Sequence, residues 1–477
     1  KNIYDPTTGF MRGKINGQFV TPFDPTEVNF MLTEANTWQY NFFVPQDISG
    51  LIRLMGGEES FNSKLDQMFS EEKGLSGRHQ SDITGLVGQY AHGNEPSHHM
   101  AYLYNYSGQP WKTQELVRKI MHELYTDQPD GLCGNEDCGQ MSAWYVLSAM
   151  GFYPVVPGSL DYALGSPEFE KITINLENGK AFRIVSDGNS VNNKYIQSAS
   201  LNGSDHPACF ITQDDIVNGG LLQLQMGSQP GKSWGTGKAD RPVSEIDEFL
   251  ITPVPYVIAD GRTFTDRMEV AFGTILEDCI IYYTLDGSKP TTGSSKYESP
   301  LTITENTTIK AFATKDGLFP SKVIEASFNR MPEGRSLEIR HPYSTQYTAG
   351  GDIALIDQLR GGDNFRTGFW QGYYGVDLEV ILDLGKMQEV NSIGIGFLQD
   401  QKSWIFMPEE VSFYLSQDKA DFQLTGTIKN DVDEKQEGGI IKEFTIDDLN
   451  KEIRYIKIIA RNRGVCPEWH VGDGNPA

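Results

Sequence analysis

Three clusters of oxygen-bearing side chains within residues 1–140 have the types and spacing to do chemistry. Glu34 falls in the series Phe30, Glu34, Trp38, Phe42, which recurs every four residues and would set a carboxyl group on the apolar face of a helix. Burial against aromatic surface raises a carboxyl pKa and suits a general acid; the alternative is a helix carboxylate that turns to solvent or pairs with an arginine. Asp137 ends an acidic, glycine-rich stretch, Asp127 to Gly139, ahead of a helix expected from Gln140. A carboxylate at a helix N-terminus is held ionised by the dipole and could activate water as a general base, although plain capping would use the same residue. In the third cluster His92, Asn94 and Glu95 precede Pro96, a first-turn residue. Side-chain and loop oxygens there match a hard cation such as calcium, while neither the EF-hand spacing nor a zinc-type His-Glu-x-x-His or Cys-x-x-Cys pattern is present. Histidines satisfying core hydrogen bonds are the alternative for this cluster. Together the three supply what inverting glycoside hydrolysis requires, two carboxyl groups facing one cavity at about 6.5 to 9.5 Å.

The elements that must position these groups change character along the chain. A helix capped by Asp24 with Pro25 at its first position is expected to carry Glu34. Further helical stretches fit residues 44–55, 61–69, 82–90, 97–104, 112–125 and 140–150, joined by long glycine-rich and proline-rich connections. After Gly151 the period becomes two, at Lys171–Leu176, Phe182–Val185 and Leu221–Met226, and predicts an antiparallel sandwich. The Pro-bearing linker Ile251–Pro255 leads to strands near 268–272, 280–285, 301–303, 308–313 and 325–328. A hinge at 329–335 precedes strands near 379–384, 393–397, 410–415, 440–446 and 454–460. Within this last module Phe365 to Tyr374 concentrates aromatic residues, with Trp370 serving either as a core plug or as a platform for a sugar ring.

At 477 residues the chain is too long for one core, since cores stop growing near about 250 to 300 residues. Its 64 acidic against 40 basic residues give a net charge of −24, which would repel a phosphate backbone and argues against nucleic acid as a partner. No apolar run is long enough for a membrane span, and the opening Lys1-Asn-Ile-Tyr-Asp lacks the apolar core of a signal peptide. The five cysteines are odd in number and scattered; only Cys133 and Cys138 are near enough in sequence to suggest a bridge.

Several ordered motifs carry a resemblance. Pro22-Phe-Asp-Pro, Glu34-Ala-Asn-Thr-Trp-Gln-Tyr, Leu54-Met-Gly-Gly, His92-Gly-Asn-Glu-Pro-Ser-His-His and Gly134-Asn-Glu-Asp-Cys-Gly-Gln-Met-Ser-Ala-Trp-Tyr closely resemble the family 92 glycoside hydrolases. The resemblance implies a calcium-dependent exo-α-mannosidase that inverts anomeric configuration, with Glu34 as the general acid and Asp137 as the general base. It further implies that Asn94 and Glu95 help to hold Ca2+, and that Trp38, His92, Asn94, Glu95 and Asn135 contact the terminal mannose. Ile281-Tyr-Tyr-Thr-Leu-Asp-Gly-Ser-Lys-Pro resembles the small β-sandwich appended to chitobiases, and Asp363-Asn-Phe-Arg-Thr-Gly-Phe-Trp with Arg454-Tyr-Ile-Lys-Ile-Ile-Ala resembles discoidin-type, galactose-binding-like domains.

The expected architecture is therefore multidomain α+β, a partial (α/α)6 helical barrel followed by three β-sandwich modules. The divisions are 1–155 for part of the catalytic barrel, 156–250 for a β-sandwich of the family 92 region, 251–330 for the chitobiase-like module and 336–477 for the discoidin-like domain. The resemblance is to the C-terminal part of such an enzyme, so the pocket is expected to be incomplete. Mannose-containing glycans are the expected partners, and the expected location is secreted, periplasmic or at the cell surface of a bacterium. The competing reading is a carbohydrate-binding or adhesive fragment with an inactive catalytic remnant, separated from the first by whether mannose is released.

Overall fold

The computed structural model describes residues 1–344 and 346–476. Its class is multidomain α+β, arranged as two compact units: residues 1–13, 20–251 and 317–319 make the first, and residues 14–19, 252–316 and 320–477 the second.

In the first unit the helices before the sheets are α1 (Thr37–Tyr40), α2 (Ile48–Leu54), α3 (Glu58–Ser70), α4 (Leu103–Tyr106), α5 (Pro110–Leu124) and α6 (Gln140–Met150), and a short α7 (Gln213–Val217) lies among the strands. Their apolar faces close on Phe42, Phe61, Leu65, Tyr102, Tyr104, Val117 and Trp144, each of which is essentially inaccessible. Two expected helices are absent. Asp24 folds its carboxylate back onto the Thr26 amide (3.0 Å) and hydroxyl (2.8 Å), an Asx turn that competes with helix initiation. Residues 82–90 instead form a short hairpin, Leu86–Val87 against Tyr90–Ala91, because Gly85 and Gly88 both adopt φ of 60°. The stretch 97–104 is mostly 3₁₀ turns running into α4.

The β part of this unit is a five-stranded sheet in the order 171–175, 181–187, 220–227, 195–201, 204–205, beside a three-stranded sheet. It is mixed rather than purely antiparallel, since Ala181–Asp187 runs parallel to Gly220–Gly227. The strict alternation of Leu222, Leu224 and Met226 with exposed neighbours buries one face with Phe182, Ile184 and Ile196. Arg118 of α5 joins helices to sheet: its guanidinium donates to the Ser166 hydroxyl (3.1 Å), to the Pro167 carbonyl and to Asn189 Oδ1 (2.6 Å).

The second unit holds two β modules. One packs a three-stranded sheet (256–258, 268–273, 301–303) over a five-stranded one built on Thr307–Thr314, with Val270, Phe272, Ile309 and Phe328 between them. The hairpin of residues 14–19 belongs here, clasped through Asn16 and the backbone of Ser327 (3.0 and 2.7 Å). The other module centres on Leu378–Val390 and Lys451–Arg461, with Val380, Val411, Phe413, Phe444 and Ile456 in its core.

Asp357 in this unit is 6 % exposed, and burial raises its pKa from 3.8 to about 6, with the Arg262 guanidinium partly opposing the shift. A raised carboxyl pKa means that the native state holds the proton more tightly than the unfolded one. The associated stability is therefore present at low pH and lost as pH rises from about 4 to about 6. Asp357→Asn is expected to flatten that slope, measured as the change in melting temperature of the second unit between pH 4 and 7; an unchanged slope would contradict it.

Candidate active site

Three segments meet around Glu95. The first is the loop before α1. Asn36 caps that helix in a capping box, accepting from the Gln39 amide (3.2 Å) while Gln39 Oε1 accepts from the Asn36 amide (2.9 Å). Both side chains also bind Gln89, Asn36 Nδ2 donating to Oε1 (2.7 Å) and Gln39 Nε2 to the backbone carbonyl (3.1 Å), so the loop is fixed to the strand that leads to His92. Glu34 stands two residues before this cap, exposed and at φ 54°. The expected helical apolar face is therefore not what holds it. The series Phe30, Glu34, Trp38, Phe42 is broken by a left-handed residue, and only Thr37–Tyr40 is helical.

The second segment runs from His92 to His99. Asn94 Nδ2 donates to the Glu34 carbonyl (3.0 Å), and the Ser97 hydroxyl closes the turn on the Asn94 carbonyl (2.7 Å). Glu95 follows at the start of a 3₁₀ turn, half-buried. A small pocket lined by Ala35, Gln39, Tyr40, Asn94 and Pro96 adjoins it.

The third segment is the loop into α6. Asp137, Cys138 and Gly139 are consecutively left-handed, at φ 49°, 57° and 89°. This turn removes Asp137 from the capping position. Glu136 takes that role instead, accepting from the Ser142 amide (3.1 Å) and hydroxyl (2.8 Å), so it is the carboxylate that meets the helix dipole. Asp137 is left exposed and turned towards Glu95. Asn135 is exposed and donates to Asp82 (3.2 Å).

The carboxyl pKa of Glu95 is raised by burial first, then by its hydrogen bond to Asp137 and by the charges of Asp137 and Glu34. Glu34 and Asp137 thus both act on Glu95 although more than a hundred residues separate them in sequence. Glu95 Oε1 is buried without a hydrogen-bond partner. An orphaned carboxylate oxygen next to an asparagine is the kind of oxygen pair a hard divalent cation takes, while among the described residues no group of three or more His, Cys, Asp or Glu side chains is placed to hold a metal ion.

Two residues expected at the sugar prove to support the site from behind. His92 is fully buried with both ring nitrogens engaged, one by Tyr90 and one by Tyr125 (each 2.7 Å), and burial lowers its pKa to about 2. Trp38 is 4 % exposed and packs edge-on against Phe10 at 4.7 Å. Residues that sequence reasoning passed over complete this support. His98 donates to the His92 carbonyl (2.9 Å), the Trp144 indole to the His98 carbonyl (3.0 Å), and Gln140 contacts both His98 (3.2 Å) and Tyr153 (3.2 Å). The cysteines are free, so Cys133 and Cys138 form no bridge.

Comparison with known proteins agrees with the motifs. A family 92 α-mannosidase of Bacteroides thetaiotaomicron in complex with mannoimidazole is 40 % identical, covering 51 % of this chain and 33 % of its own, with a TM-score of 0.48. A family 92 inverting mannosidase of the same organism is 43 % identical over 51 % of this chain and 34 % of its own, with a TM-score of 0.46. A protein of Arthroderma benhamiae described as an uncharacterized secreted glycosidase is 35 % identical over 214 residues, 44 % of this chain and 26 % of its own length. The chain thus spans about a third or less of the relatives it matches. Residues 1–228 match the glycosyl hydrolase family 92 catalytic domain, and residues 258–325 match the chitobiase/β-hexosaminidase C-terminal domain.

Proposed function

We propose that the protein is an exo-α-mannosidase that removes terminal α-linked mannose from glycans with inversion of configuration. The observation that carries this reading is that the Asp137 and Glu34 carboxylates both act on the Glu95 carboxyl group, supported by the similarity of residues 1–228 to the family 92 catalytic domain and to family 92 mannosidases. Glu34 protonates the departing glycosidic oxygen, while Asp137 takes a proton from the water that attacks the anomeric carbon from the opposite face. That division of labour calls for a carboxyl separation of about 6.5 to 9.5 Å. Asn94 and Glu95 would hold calcium, with Asn135 near the sugar. Calcium bound there would supply Lewis-acidic attraction for the sugar hydroxyls. Secretion, to the periplasm, the cell surface or beyond, is proposed from the secreted glycosidase relative; among the described residues no helix is long and apolar enough to cross a membrane.

The test is release of mannose from an aryl α-mannoside by the protein. Chelation with excess EGTA is expected to abolish release, calcium to restore it, and magnesium to restore little, because magnesium demands a tighter octahedral shell. Full activity in excess chelator would remove the cation from the proposal. Glycan binding without turnover in the presence of calcium would favour an adhesive module instead.

A further inference from the structure

Gln89 carries no charge and was not among the residues singled out by spacing, yet the loop that bears Glu34 hangs on it. Its Oε1 accepts from Asn36 Nδ2 (2.7 Å), its carbonyl accepts from Gln39 Nε2 (3.1 Å), its Nε2 donates to the Lys73 carbonyl (2.6 Å) and its backbone N–H to the Met68 carbonyl (2.8 Å). Gln89 is 2 % exposed and Asn36 fully buried. This network admits one orientation of the Gln89 amide. Turned over, its oxygen would face the Lys73 carbonyl and its nitrogen the Asn36 amide, so two acceptors and two donors would oppose each other without water to separate them.

Residues 29–36 are an irregular loop between Glu27–Val28 and α1. At its start, Glu27–Val28 pairs in parallel with Ser76–Gly77, the Arg78 N–H donates to the Val28 carbonyl (2.9 Å), and the Arg78 guanidinium lies over the Phe30 ring at 4.7 Å. At its end Asn36 is held by Gln89, which is tied through the Lys73 carbonyl to the same segment, residues 71–78. Glu34 lies between these anchors at φ 54°, a conformation that a non-glycine residue keeps only where the flanking backbone is fixed. Asn94, five residues beyond Gln89, donates to the Glu34 carbonyl (3.0 Å). The stretch from Gln89 to Glu95 thus grips the Glu34 loop at two points.

We propose that Gln89 is a positioning residue for hydrolysis: acting through Asn36, it sets where the Glu34 carboxyl group stands, without touching substrate. This inference rests on the reading of Glu34 as the general acid. Proton transfer requires the carboxyl group within hydrogen-bond reach of the departing oxygen, and a misplacement of about 1 Å costs on the order of 10²-fold. The bonds of Gln89 run to Asn36, Gln39, Lys73 and Met68, whereas Asp137 stands on the loop into α6. Loss of the Gln89 amide should therefore weaken the acid and spare the base.

The test compares kcat/KM for methyl α-mannoside and 2,4-dinitrophenyl α-mannoside in Gln89→Met, Glu34→Gln and the variant carrying both. Methionine keeps the length and unbranched shape of the side chain and removes its hydrogen bonds. Gln89→Met is expected to slow the methyl glycoside by about 10- to 100-fold and the dinitrophenyl glycoside, whose leaving group needs no proton, by less than about threefold. In the variant carrying both changes it should add less than about twofold to the effect of Glu34→Gln, because a residue that acts only through Glu34 has nothing left to position. Asn36→Ser is the second variant: serine still caps α1 and gives up the bond to Gln89, so it should show the same leaving-group dependence and decides the question if Gln89→Met does not fold. A merely structural role would lower both substrates together. The inference is overturned if Gln89→Met, or Asn36→Ser in its place, slows both substrates alike or neither, or if the effect of Gln89→Met multiplies with that of Glu34→Gln. Should the unaltered protein release no mannose, or Glu34→Gln itself show no leaving-group dependence, the assignment of the acid falls and the inference falls with it; leaving-group dependence in Glu34→Gln alone overturns only the role of Gln89.

Discussion

Replacing Glu34 by glutamine is expected to slow hydrolysis of an unactivated mannoside by about 10²- to 10⁴-fold, the range in which a general acid contributes. The loss should shrink strongly for aryl mannosides whose leaving group departs as a stable phenolate, because such a group needs no proton. This dependence on leaving group, rather than the size of the loss, identifies the role. Glutamine is close to isosteric, and Glu34 is exposed in a loop held by the Asn36 capping box and by Asn94. Stability should therefore change by no more than about 0.5 kcal/mol. A variant that loses activity equally on all leaving groups would make Glu34 a binding residue and not the acid.

Asp137→Asn is expected to lower turnover by about 10²- to 10⁴-fold whatever the leaving group, since activation of water is needed for every substrate. Asparagine tolerates the left-handed conformation that Asp137 adopts at φ 49°, so the turn into α6 should survive. Azide, which needs no base, should partly rescue the variant by attacking the anomeric carbon directly, giving β-mannosyl azide as the leaving group takes its proton from Glu34. Rescue that yields the α-azide, or a loss confined to poor leaving groups, would contradict the assignment.

How far the fold could be read from the sequence depended on whether one period ruled a segment. In the β modules alternation is enforced by a two-sided sheet, and the expected strands near 268–272, 308–313, 410–415 and 454–460 are all present. The helical region defeated the same approach where local side-chain chemistry won. Asp24 formed an Asx turn, and Gly85 with Gly88 bent a supposed helix into a hairpin. The period-four series around Glu34 was a coincidence of a loop and a single helical turn.

The residues of the candidate site were legible by type, but their reasons were not. Glu34 was expected to be buried on a helix and is exposed in a loop; Asp137 was expected to sit at a helix dipole, which Glu136 occupies. Convergence on Glu95 is a tertiary fact that no local spacing reveals. His92 illustrates the converse: its motif suggested the sugar, whereas Tyr90 and Tyr125 make it a buried strut.

The central claim is that Glu34 and Asp137 work as an acid and base on opposite faces of a mannoside. Proton NMR of the first sugar released from a methyl or aryl α-mannoside, recorded before mutarotation, tests it most directly. The account predicts β-mannose as the initial product, with α-mannose growing in only as the anomers equilibrate. Initial α-mannose, or no mannose at all with calcium present, would contradict it.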